Sequence, residues 1–111
     1  MAEARRVAVE ERIDALLAEG AEEEAERAFQ AFVTNPDNRG SAALARAWLG
    51  RGDRARESEA MLKALNAYAS AYTVATAEEE QLEALIGLAE LAHEEFRWQA
   101  MVFAVDTLTQ H

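Results

Sequence analysis

Glu90-Leu-Ala-His93 is the pattern in this chain with a metal-site meaning. A carboxylate and an imidazole three residues apart on a helix project to one side. Two such pairs with two further glutamates hold di-iron centres in helical bundles. This chain has one pair, and its other histidine is His111. A symmetric dimer would supply the second pair, with Glu57 or Glu59 as an added ligand. The plainer reading puts His93 in a polar turn between helices, so no cofactor is expected. Gly50-Arg-Gly-Asp53 contains a Gly-x-Gly but has no preceding strand and no following Lys-Ser/Thr, which a phosphate-binding loop needs. It reads as a tight turn with Asp53 capping the next helix. Ser41, Ser58 and Ser70 have no nucleophile elbow around them. The absence of cysteine removes thiolate catalysis, thiolate zinc sites and disulfides together. An enzyme is not expected, and what remains is recognition.

The elements that position these residues are helices. Ala, Glu, Leu and Arg dominate, with a single Pro and five Gly in 111 residues, and these residues lose least on entering a helix. Val9, Ile13, Leu16 and Leu17 recur at helical spacing over about 4–18, and Gly20 ends that helix. A second helix opens with Glu22-Glu-Glu, acids that suit the positive end of a helix dipole, and Asn35-Pro36 stops it. A third, with Leu44 and Trp48, is expected to end at the Gly50–Asp53 turn. The fourth runs unbroken from Arg54 to about Ala75 with Met61, Leu65, Tyr68 and Tyr72 on one seam. Thr76 and Glu79 form a capping box for a fifth helix. A turn near 93–97 then leads into a sixth.

The sixth helix is apolar on two sides. Trp98, Met101, Val102, Val105 and Leu108 make one stripe; Phe96, Ala100 and Phe103 make another. A terminal helix of a closed stack should present a polar outer face. A second copy of the chain is therefore expected against Phe96, Trp98, Met101, Phe103 and Val105, which makes a homodimer.

The net charge of −10 opposes nucleic-acid binding. It is unevenly spread: residues 1–37 carry −6, residues 38–63 carry +3 and residues 64–111 carry −7. The central basic island is an ordinary solvated surface, or else a face for an acidic ligand. No run is long enough to span a membrane, no targeting segment is evident, and a cytoplasmic location is expected.

Gly20 and Gly52 lie 32 residues apart, as do Phe29 and Met61, near the period of about 34 residues of tetratricopeptide repeats. With Gly20, Ala25, Phe29 and Pro36 in one unit and Ala45, Trp48, Gly52 and Ala64 in the next, the chain resembles that family. Glu57 departs from the pattern, and the third unit matches it loosely. The resemblance implies stacked helical hairpins that bind a peptide or protein segment on an inner face. That face would comprise Val7, Glu10, Asp14 and Leu17 from the first unit and Arg39, Ala42, Arg46 and Leu49 from the second. Arg39 and Arg46, seven apart, would share one helix face and grip carboxylates through charge-assisted hydrogen bonds, unless paired to Glu10 and Asp14.

The expected protein is a single all-α domain over 1–111, about six helices in three antiparallel hairpins (about 4–34, 38–75 and 77–110) arranged as a tetratricopeptide-like stack. An antiparallel helical bundle is the alternative. The expected function is an adaptor or scaffold for a protein or peptide partner. A dimeric metal bundle using Glu90 and His93, or a regulatory subunit of a larger complex, are the other readings.

Overall fold

The computed structural model describes the backbone of residues 1–109 and the side chains of residues 1–95, 106 and 107. The regular structure among them is helical: α1 (Ala2–Ala18), α2 (Glu22–Thr34), a 3-10 turn (Pro36–Asn38), α3 (Ala42–Glu57), α4 (Met61–Val74) and α5 (Glu78–Thr109). No helix among the described residues is long and apolar enough to cross a membrane.

The chain folds as helical hairpins. α1 pairs with α2 and α3 with α4, while α3 also packs on α1 and α5. α1, α3 and α5 thus lie side by side as one layer, with α2 and α4 behind them. Two clusters fill the space between the layers. Ile13, Ala25, Phe29, Phe32, Ala43 and Ala47 make the first; Leu49, Ala55, Ala64, Tyr68, Ala71, Ala84 and Leu91 make the second. Trp48 touches both and meets Phe29 edge to face at 4.9 Å. Arg51 closes this seam between the hairpins. Its guanidinium lies 4.5 Å over the Phe29 ring and donates to both carboxylate oxygens of Glu26, at 2.6 and 3.0 Å. That pairing holds the Glu26 carboxyl below the usual carboxylate range.

The turns account for the internal repeat, at a different offset from the expected one. After α1, Gly20 adopts φ 80°, with Ala21 N–H donating to Leu16 O at 2.8 Å and Gly20 N–H to Leu17 O at 3.1 Å. After α3 the same pair recurs, Ala60 to Ala55 at 2.8 Å and Glu59 to Arg56 at 3.0 Å. Both are Schellman caps, which need a left-handed residue. The second cap uses Glu59, at φ 63°. The equivalent of Gly20 is therefore Glu59, 39 residues later. The same offset relates Ala25 to Ala64, Phe29 to Tyr68 and Phe32 to Ala71, all of them buried.

Gly52, expected in a turn, lies inside α3. A Cβ on it would stand 2.7 Å from the Tyr68 ring, and one on Gly87 of α5 would stand 2.9 Å from the same ring. The two glycines are bare backbone against the two neighbours of one aromatic side chain. α3 consequently runs through Gly50–Asp53, and Asp53 caps no helix; it accepts a hydrogen bond from the Tyr68 hydroxyl at 2.5 Å. α4 starts at Met61 and is one of the shorter helices. The expected third hairpin is one 32-residue helix. The residues proposed for a turn, 93–97, offer no glycine or proline to interrupt it.

A left-handed glutamate costs about 1 kcal/mol relative to glycine at the same place. Glu59→Gly is expected to stabilise the protein by about 0.5–1 kcal/mol after the added freedom of the unfolded chain is counted. The check is a higher urea midpoint with an unchanged slope.

Candidate inner-face cleft

A cleft runs along the α1–α3–α5 layer. One part, about 250 Å³, is lined by Arg6, Glu10, Arg46, Leu49, Gly50, Asp53 and Glu83. The adjoining part, about 140 Å³, shares Leu49, Asp53 and Glu83 and adds Arg56, Tyr68, Ile86, Gly87 and Glu90. α3 supplies the shared wall: Arg46, Leu49, Asp53 and Arg56 follow one another at three- and four-residue steps, which aligns them on one helix face.

Each arginine of the cleft is already partnered. Arg6 bonds Glu3, and Glu10 at 2.5 Å. Arg46 reaches Glu80 at 3.3 Å and Glu3 at 3.7 Å. Arg56 donates to Glu90 and Glu94, each at 2.5 Å; these bonds, Glu90 first, raise the Arg56 pKa and keep it protonated. Among the described residues Glu83 has no cationic partner, and Glu80 is buried with Oε2 lacking any hydrogen bond. The surplus charge of the cleft is acidic. Burial, together with the bond to Asp53, pushes the Tyr68 hydroxyl up to about 12, so the cleft floor stays neutral there at any ordinary pH.

Of the expected groove residues, Glu10, Arg46 and Leu49 come together here, with Leu49 buried. Leu17 lines a different depression, of about 310 Å³, between the hairpins, alongside Arg51, Arg54 and Lys63. Asp14, Val7 and Arg39 are exposed and line none of these three hollows, nor does the half-buried Ala42. Arg39 follows the 3-10 turn in extended conformation, at φ −61° and ψ 138°, and so shares no helix face with Arg46. The paired-arginine clamp is not formed.

Asp53, Glu83, Arg6 and Arg56 were absent from the expected groove. The signal for Asp53 and Arg56 was their seven- and ten-residue spacing from Arg46, which placing a turn at Gly50–Asp53 conceals. Glu90 accepts from Arg56, and His93 is exposed. Among the described residues no three His, Asp or Glu side chains group as a metal site. The side chains of Phe96, Trp98, Met101, Phe103 and Val105 lie outside the described residues.

The fold and cleft define a class, all-helical stacked hairpins with an acidic inner face. No family model, curated protein or solved structure matches this chain.

Proposed function

We propose that the protein is a non-enzymatic interaction module of tetratricopeptide-like kind whose inner-face cleft binds an extended segment of a partner protein. The observation that carries this reading is the continuous cleft across α1, α3 and α5, with Leu49 at its floor and Glu83 unpaired at its centre. The sign of the charge favours a basic segment over an acidic one. All three arginines are internally neutralised, whereas Glu83 in the cleft wall has no cationic partner among the described residues. Complementary charge governs encounter and partner choice more than it adds raw affinity, so binding should weaken as salt rises.

Calorimetric titration with a lysine- and arginine-rich peptide and with a glutamate-rich peptide of equal length separates the cases. The basic peptide is expected to bind, and Glu83→Lys to weaken it by about tenfold, or about 1.4 kcal/mol. Equal binding of both peptides, or of the acidic one alone, would overturn the reading.

A further inference from the structure

Gly52 and Gly87 present backbone to the same Tyr68 ring, so α3 and the first half of α5 are equivalent at an offset of 35 residues. Carried forward, that offset maps Glu59 onto Glu94 and Tyr68 onto Phe103 in sequence. The second half of α5 is thus the sequence counterpart of α4, the helix that folds back on its hairpin partner. Here it does not fold back. Glu94 is helical where Glu59 turns, and Arg56 bonds Glu90 and Glu94 on successive turns, which holds α5 helical through that point. Ala92-His-Glu-Glu-Phe-Arg97 contains no breaker.

The surface that such a helix would cover is open. Leu62, Leu65 and Tyr72 on α4 and Leu82 and Leu85 on α5 expose between 45 and 85 % of their surface. Leu65 and Tyr72 lie on the side of α4 away from Lys63, which borders the depression shared with α2, and so face the α4–α5 edge. Large apolar side chains left exposed on adjoining helices are what an interaction surface presents. Its length matches the segment in question: α4 spans about 21 Å and residues 95–109 about 22 Å at 1.5 Å per residue. Residues 96–109 carry only two charges, Arg97 and Asp106, and continue the heptad row Leu82, Ala89 as Phe96, Phe103.

We infer that the open face of α4 and α5 is occupied by residues 95–109 of a second copy, in a reciprocal two-fold exchange. A continuous α5 directs this segment away from its own hairpin, so the same surface on another molecule is the one it reaches. Antiparallel α5 helices crossing near Glu94 place each second half along the other's first half. Such an isologous pairing closes at two and leaves no further edge. The arrangement is independent of what the inner cleft takes, since it uses the opposite edge of α5.

Sedimentation of the full chain over a range of concentrations tests it, with two variants. The unaltered protein is expected to be dimeric. Leu65→Glu with Leu85→Glu, both outside the core, should be monomeric with an unchanged helical circular-dichroism signal. Inserting Gly-Asn-Gly after Glu94 lets the segment fold back and should likewise give a monomer, now with the apolar face covered. A monomer from the unaltered chain at every concentration, or a dimer that survives either change, would overturn the exchange.

Discussion

Tyr68→Ala is expected to destabilise the protein by about 3–5 kcal/mol, the range for removing a buried aromatic ring, a large fraction of the about 5–15 kcal/mol that holds a typical domain together. The ring fills the junction of three helices. It belongs to α4, packs on Gly52 of α3 and Gly87 of α5, and is buried with Leu49, Ala64 and Leu91 around it. Because backbone bounds it on both sides, neither neighbour can relax into the hole by changing a rotamer. The converse substitution shows the same tightness. Alanine at Gly52 gains about 1 kcal/mol of helix propensity, but its Cβ meets ring carbons at 2.7 to 2.9 Å. Overpacking of this kind costs about 1–3 kcal/mol, so Gly52→Ala is expected to be a net loss, and a smaller one in a Tyr68→Leu background. Urea unfolding of the single and double variants measures the coupling.

The hydroxyl of the same residue makes a separate, pH-dependent contribution. Its folded pKa is raised to about 12 from the ordinary value of 10.0. Below pH 10 both the folded and unfolded states hold the proton, and the full benefit of the bond to Asp53 is present. Between pH 10 and about 12 the unfolded chain releases its proton while the folded one keeps it, so stability falls as pH rises across the window. Tyr68→Phe should lose about 1 kcal/mol at neutral pH and show a shallower decline in that window. A parallel decline in the two proteins would show that the hydroxyl is not the group responsible.

The helical class and the first hairpin could be read from the sequence because their signals are local. Gly20 at a helix end and Asn35-Pro36 after α2 act through backbone conformation alone, and both stop helices where expected. The turn of the second hairpin could not be placed, because it is made by Glu59, an acid with no intrinsic preference for φ 63°. Gly52 supplied the wrong signal: a glycine inside a helix looks like a breaker until the ring that occupies its missing side chain is known. One misplaced turn shifted the repeat from 39 residues to 32 and split the Arg46–Leu49–Asp53–Arg56 row between two helices. For that reason the expected groove contains Glu10, Arg46 and Leu49 of the cleft lining but not Asp53 and Arg56. Glu83 and Arg6 depend on how α1 and α5 flank α3, a tertiary fact with no sequence marker. The sign of the cleft depended on ion pairs between helices far apart in the chain, such as Arg46–Glu80.

Asn38→Ala is expected to cost about 2–4 kcal/mol, although it removes only one small polar side chain. Asn38 is fully buried in the short connection between the hairpins. Its Nδ2 donates to Phe32 O at 2.8 Å, where α2 ends, and its Oδ1 accepts from Arg5 Nε at 3.1 Å, near the start of α1. Helix ends leave carbonyls that no residue of the helix can satisfy, and this one is answered by the Asn35 N–H at 3.3 Å and, more closely, by a side chain six residues downstream. Truncation therefore removes both bonds at once, leaving the Phe32 carbonyl the longer bond from the Asn35 N–H at 3.3 Å and Arg5 its bond to Asp37 O; a lost neutral bond costs about 0.5–1.5 kcal/mol and one to a charged group about 1.5–3 kcal/mol. Asn38→Asp separates the two bonds. It keeps an acceptor for Arg5 and adds charge attraction, but it places an anion against the Phe32 carbonyl in a site closed to water. The aspartate variant should thus be no more stable than the alanine one at neutral pH and should recover part of the difference as the carboxyl is protonated at low pH. If the asparagine acted only by filling space, the aspartate, nearly equal in volume, would behave like the unaltered protein at every pH, and thermal unfolding at pH 7 and pH 4 distinguishes the two.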